Sequence, residues 1–172
     1  MKMLIVSALV CAMMVLTRAA APPEETPQNE TEIPLVKRST DCSSDWSFLG
    51  GRCYHYVPTL MSWAGAERHC QSLGGNLASV HNSQQYFDIQ RLISQVTHKN
   101  DPAWIGGTDA QEESQWFWSD GTPFRYQYWC QGEPNNNKGN QHCLQMNYSA
   151  DRCWDDLQCS NKLPSVCVRE RC

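Results

Sequence analysis

The chain has 172 residues and a mildly acidic balance, 14 Lys and Arg against 18 Asp and Glu, for a formal net charge of −4. No block of Lys or Arg interrupts it, so neither nucleic acid nor an anionic membrane surface is an expected partner. Ten cysteines and seven tryptophans point instead to a small, cross-linked domain with an aromatic core.

At the N-terminus Lys2 is followed by an apolar run from Met3 to Leu16 and then by Ala19-Ala20-Ala21. A charged start, a short apolar stretch and small residues read as a secretory signal peptide over residues 1–21, too short to span a bilayer. Residues 22–38 are rich in Pro, Glu and Thr, lack aromatics and end in Lys37-Arg38. Such a segment cannot bury enough apolar surface to fold. It is expected to be a pro-segment cut at the dibasic pair, or a flexible arm that stays. Asn29 heads a glycosylation sequon within it.

Residues 39–172 have the size of one domain. With Cys11 in the signal peptide, an odd set of cysteines remains, and in a secreted chain these form a disulfide framework with one thiol over. Cys172, the last residue, is the expected interchain bridge of a homodimer; the other reading pairs it internally and leaves another cysteine over.

Trp46 to Tyr56, turning at Gly50-Gly51, reads as an opening hairpin. Ser62 can cap a helix over Trp63–Leu73, where Trp63, Ala66, Cys70 and Leu73 share a face and Gly74-Gly75 ends it. Leu77–Val80 reads as a short strand. A second helix starts at Asn82-Ser83, with Tyr86, Ile89 and Ile93 on one face, and closes near Ser94. Beyond Pro102 the pattern becomes short strands between polar loops: Ala103–Gly107, Trp116–Trp118, Leu144–Tyr148 and Ser165–Val168. Early helices followed by strands indicate α+β. The loop Ser119–Gln141 is long for a compact domain, and such loops are usually functional or disordered.

Two oxygen-rich clusters flank the Leu144–Tyr148 segment. Glu133, Asn135 and Gln141 lie before it, Asp155 and Asp156 after it. Together they offer three carboxylates and two amides and no soft ligand, a set suited to calcium. The same residues also fit a polar surface loop, for which Pro134 and Gly139 are ordinary choices. The histidines form no H-E-x-x-H pair and no nucleophile elbow occurs, so an enzyme is not expected. Asn147 heads a second sequon, on a strand beside these clusters, where such matches commonly go unused.

Motifs in a fixed order give the chain a family resemblance. Cys42 with Cys53, Trp63-Ala64 leading to Cys70, Gly75-Asn76-Leu77-Ala78-Ser79, Trp104-Ile105-Gly106-Gly107, Trp118-Ser119-Asp120-Gly121, Glu133-Pro134-Asn135, Cys143, Trp154-Asp155-Asp156, Cys159 and Cys167 resemble a C-type lectin-like domain across Asp41 to Val168. Cys130, Cys153 and the Pro/Glu-rich leader narrow the likeness to secreted fish lectins and type II antifreeze proteins. The resemblance implies an α+β fold of two helices, short antiparallel strands and long calcium-binding loops, braced by disulfides. The implied pairs are Cys42–Cys53, Cys70–Cys167, Cys143–Cys159 and Cys130–Cys153, which leaves Cys172 alone.

The resemblance also implies function. The metal set would be Glu133, Asn135, Gln141, Asp155 and Asp156, with Glu133, Asn135, Gln141 and Asp155 also contacting sugar. Gln141 stands where the family has an acid and Asp155 where it has Asn, so the count of carboxylates is kept. An auxiliary calcium site is not expected, because Asn136 and His142 stand where it needs acids. The implied activity is a secreted, calcium-dependent lectin that coordinates neighbouring sugar hydroxyls on glycans of cells or microbes. The Glu-Pro-Asn order favours mannose-type sugars, with galactose as the alternative. The rivals are an antifreeze protein on the same fold and a venom or protein-binding module. Against the antifreeze, its extra cysteine pair is absent at Thr108-Asp109 and His142.

Overall fold

The computed structural model describes residues 42–170. The expected signal peptide over residues 1–21, the expected pro-segment or arm over 22–38 with Asn29, and Cys172, the expected interchain bridge, lie outside the described residues. Eight strands and two helices follow in the order β1 (Ser47–Leu49), β2 (Arg52–Met61), α1 (Trp63–Ser72), β3 (Asn76–Leu77), α2 (Ser83–Thr97), β4 (Ala103–Thr108), β5 (Phe117–Trp118), β6 (Cys143–Tyr148), β7 (Cys153–Leu157) and β8 (Leu163–Arg169).

The α+β reading holds, with its details sharpened. The Ser62 hydroxyl accepts the Gly65 N–H at 3.3 Å and starts α1, and the Asn82 side chain accepts the Gln85 N–H at 2.9 Å and starts α2, as short polar caps do. Helix α2 runs to Thr97, three residues beyond the expected end at Ser94, and closes where left-handed His98 donates its N–H to the Ser94 carbonyl at 2.9 Å. Leu77–Val80 shrinks to the two-residue β3. Asp155 and Asp156, which lie outside the expected strands, are on β7.

The strands form one sheet in the order β1-β2-β8-β4-β6-β7, with β3 added to β8 and β5 to β4. It is mixed rather than antiparallel throughout, since β4 runs parallel to β8 at Trp104 and Ser165. β2 has ten residues and is not short.

Apolar side chains fill two regions. Tyr86, Ile89 and Ile93 of α2 pack with Tyr54, Ile105, Met146, Trp154 and Val166. Ala66 and Cys70 of α1 pack with Val57, Leu77, Trp104 and Cys167. Close approach at Gly107 needs glycine, because a Cβ there would meet Leu144 Cδ1 at 2.6 Å. Burial of these side chains is the main stabilising contribution, each large apolar one being worth about 1.5–3 kcal/mol.

Among the described residues four disulfides add covalent ties: Cys42–Cys53, Cys70–Cys167, Cys130–Cys153 and Cys143–Cys159. The second pins α1 to β8. The last two close around β6 and β7, the strands that carry the candidate site. Four disulfides in one small domain mark a chain folded in an oxidising compartment, and the protein is secreted. Among the described residues no helix is long and apolar enough to cross a membrane.

One buried acid organises the α1 side. Glu67, 7% exposed, accepts hydrogen bonds from Gln71 Nε2 at 2.8 Å, Asn76 Nδ2 at 2.7 Å, the Leu77 N–H at 2.8 Å and Ser119 Oγ at 2.8 Å. The carboxylate joins α1, β3 and the loop after β5. Sequence reasoning missed it; a lone acid among Ala66, His69 and Cys70 was the available signal.

Candidate functional site: a carboxylate cluster between a long loop and strand β7

The site lies where the 130–142 loop meets β7. Antiparallel pairing of β6 with β7 sets Gln145 opposite Asp155 and Leu144 opposite Asp156. The loop is held to this strand at its start, where the Cys130 N–H donates to the Trp154 carbonyl at 2.9 Å and Cys130 is bonded to Cys153. It is held again further on, where Asp156 accepts the backbone N–H of Asn135 at 2.9 Å and of Asn136 at 2.7 Å. Asp156 is 1% exposed and Asp155 4%.

The five residues expected to hold a cation come together in two groups. Glu133, Asp155 and Asp156 each offer a carboxylate oxygen, and these three atoms lie within 4.8 Å of one another. Asn135 Oδ1 and Gln141 Oε1 accept the same N–H, that of Asn137, at 2.8 Å and 2.5 Å, which gathers these two amide oxygens in one place. A single 3₁₀ turn, Asn137–Gly139, lies between them.

Electrostatics distinguishes the carboxylates. Burial, and then the neighbouring Asp156 and Asp155 carboxyls, push the Glu133 carboxyl up to about 7. Burial also raises Asp155, against the hydrogen bond that Gln145 Nε2 donates to its Oδ2. Three carboxylates this close resist full ionisation on their own. Glu133 Oε2 is buried and has no hydrogen-bond partner among the described residues, an arrangement that is costly unless something else binds it. A hard divalent cation satisfies both deficits, supplying charge to the cluster and a partner to the orphaned oxygen. The residues present therefore fit calcium.

Gln145, which the sequence reading did not single out, orients Asp155 from the facing strand; its place opposite Asp155 in the β6–β7 pairing is the signal that marks it. A polar groove of about 220 Å³ opens beside Gln141, lined among others by Lys138, Asn140, Gln158 and Asn161. Asn147 is 3% exposed; its Nδ2 donates to the Asp101 carbonyl at 3.2 Å and its Oδ1 accepts from Gln90 Nε2 at 2.9 Å. In the folded domain that amide is not available to a glycan.

The tryptophans of this half are chiefly core. Trp154, between Cys153 and Asp155, is fully buried and meets Trp118, Trp129 and Tyr86 edge-on at ring-centre distances of 5.8, 5.7 and 6.0 Å. This packing fixes the strand that carries the two aspartates.

The family model for the lectin C-type domain matches residues 59–169. Ladderlectin of Oncorhynchus mykiss is 42% identical over 79% of this chain and 72% of its own length. The type-2 ice-structuring protein of Hemitripterus americanus is 40% identical over 96% of this chain and 98% of its own. Among solved structures, a Ca²⁺-dependent type II antifreeze protein in its Ca²⁺-free form superposes with a TM-score of 0.70 at 36% identity, covering 74% of this chain and 99% of that one. With a matched model over most of its described domain and relatives of both kinds, the chain belongs to the C-type lectin domain family, related at once to lectins and to type II antifreeze proteins.

Proposed function

We propose that the protein is a calcium-dependent, carbohydrate-binding lectin, acting through residues 39–172 after loss of the signal peptide 1–21, with residues 22–38 as a pro-segment or arm. The family is one of binding proteins, not enzymes. The observation that carries this reading is the Glu133–Asp155–Asp156 cluster with its buried, unpartnered Glu133 oxygen.

Glu133, Asn135, Gln141, Asp155 and Asp156 would hold the ion. When bound, calcium supplies coordination positions that two neighbouring sugar hydroxyls can fill. The chain's own contribution is placement: Asp156 holds the 135–136 backbone, and Gln145 orients Asp155. Glu133 and Asp155 accept hydrogen bonds from the hydroxyls, and the Asn135 amide donates. The Glu133-then-Asn135 order favours mannose-type sugars over galactose. Contacts of this kind are few and wet, so each site binds weakly, and useful avidity requires more than one site. A Cys172-linked homodimer would supply it.

Retention of the mature protein on immobilised mannose and galactose, in calcium and then in chelator, tests the reading. Retention released by chelator supports it, and retention indifferent to chelator refutes the ion's role. A second reading has its own support, the ice-structuring relative that spans nearly the whole chain. It predicts thermal hysteresis in the same sample and no retention on either resin.

A further inference from the structure

Asn136 uses all four of its hydrogen-bonding groups. Its backbone N–H donates to Asp156 Oδ2 at 2.7 Å, and its carbonyl accepts the Gly139 N–H at 2.8 Å. Its side-chain Oδ1 accepts the Gln141 N–H at 2.9 Å. Its Nδ2 donates to Glu113 Oε2 at 2.5 Å. One residue thus joins β7, both ends of the 136–141 turn, and the loop that precedes β5. Its φ is +41°, a left-handed conformation that Asn tolerates better than almost any residue except glycine.

The anchor at the far end is itself held. Glu113 lies 3.6 Å from His142 Nδ1, which is 3.0 Å from Asp109 Oδ1. Asp109, nearly buried, also accepts the Ser114 N–H at 2.8 Å through its other oxygen. The Asp109 N–H donates to the His142 carbonyl at 3.2 Å. The 109–114 loop and the 136–142 segment therefore form one hydrogen-bonded body.

We propose that Asn136, tied to Glu113, is the positioning residue for the candidate site: it sets the 135–141 turn and thereby the place where Asn135 Oδ1 and Gln141 Oε1 meet. Neither Asn136 nor Glu113 would touch the ion. The turn is formed by side-chain hydrogen bonds within the chain. The effect on ion binding rests on the calcium reading above; the positioning of the turn does not.

Two measurements on the full mature chain separate these claims. The first is hydrogen–deuterium exchange of the 135–141 amides in chelator, for wild type, Glu113→Ala, Glu113→Gln and Asn136→Gly. Glu113 is a surface side chain, so its variants keep the fold, and glycine in place of Asn136 keeps the left-handed backbone while removing the side chain. Glu113→Ala, which loses one hydrogen bond, is expected to exchange about three- to tenfold faster there, and Asn136→Gly, which loses two, faster still. Glu113→Gln, which keeps an oxygen acceptor, is expected to return most of the protection. The second measurement is calcium titration of the same proteins. Wild type should bind one ion. Glu113→Ala and Asn136→Gly should bind about tenfold more weakly, as when a ligand's supporting partner is lost, with the melting temperature in chelator lowered by only a few degrees.

Exchange in Glu113→Ala and Asn136→Gly that matches wild type overturns the proposal, as does a Glu113→Gln protein no better protected than Glu113→Ala. Faster exchange in the variants, beside a wild type that binds no calcium, leaves the positioning role standing and removes the calcium reading instead.

Discussion

Asp156 accepts the backbone N–H of Asn135 at 2.9 Å, across 21 residues of sequence. That hydrogen bond, with its neighbour from Asn136, makes one carboxylate both a brace for the loop and a member of the charge cluster. The Asp156→Asn variant keeps one oxygen and loses the charge and the second acceptor. Its calcium affinity is expected to fall by about tenfold or more, since an unsatisfied buried donor alone costs about 1–3 kcal/mol. Calcium titration followed by tryptophan fluorescence measures it.

Glu133→Gln should separate stability from binding. The carboxyl is raised to about 7 by burial and by Asp156 and Asp155, so its ionised form opposes folding at neutral pH. Removing the charge is expected to raise the melting temperature in chelator at about pH 7.5, above the folded value, where the ionised form prevails. The same change should weaken calcium binding by about tenfold or more, in line with the loss of one charged ligand. Opposite signs in the two measurements are the signature; a fall in both contradicts the cluster's electrostatics.

The same carboxyl fixes a pH dependence. Its folded value lies above the ordinary 4.5, so its contribution to stability is fully present below about pH 4.5 and is lost as pH rises through about 7. Calcium competes with that proton. The melting temperature gained on adding calcium should therefore grow between about pH 5 and pH 7.5, as read by thermal unfolding with and without chelator.

Much of this was legible in sequence because it is written locally. Ser62 and Asn82 announce helix starts through short polar side chains, and Tyr86, Ile89 and Ile93 announce a buried face by their spacing. The paired clusters around β6 marked the oxygen-rich region. What sequence did not show depends on distant parts of the chain meeting. Asp155 and Asp156 carry the polarity of a loop, yet β7 forms because β6 offers backbone partners and Trp154 is buried. Gln145, Glu113 and Asn136 are ordinary polar residues until the fold sets them against Asp155, His142 and Gln141. Glu67 is likewise ordinary until four donors from α1, β3 and the loop after β5 converge on it.

Glu67→Ala is expected to destabilise the domain by about 2–4 kcal/mol, because it leaves buried donors such as the Leu77 N–H without an acceptor. Chemical denaturation measures the loss. Calcium affinity in the folded fraction should be unchanged, since Glu67 lies among α1, β3 and Ser119 and not at the carboxylate cluster.

Replacing Cys130 and Cys153 together by serine opens a loop of sequence separation 23. The expected cost is about 2–4 kcal/mol by the loss of a constraint on the unfolded chain. The site should suffer as well, because this bridge ties the loop to the strand that bears Asp155. A denaturation curve and a calcium titration on the same protein read both effects.

The most direct test is calorimetric titration of the mature protein with calcium, beside an Asp155→Asn/Asp156→Asn double variant. One ion per chain, with a dissociation constant on the order of 0.1–1 mM as in extracellular calcium modules, and no binding by the double variant, is the predicted result. Absence of binding in wild type, or equal binding in the double variant, would contradict a calcium site at Glu133, Asp155 and Asp156.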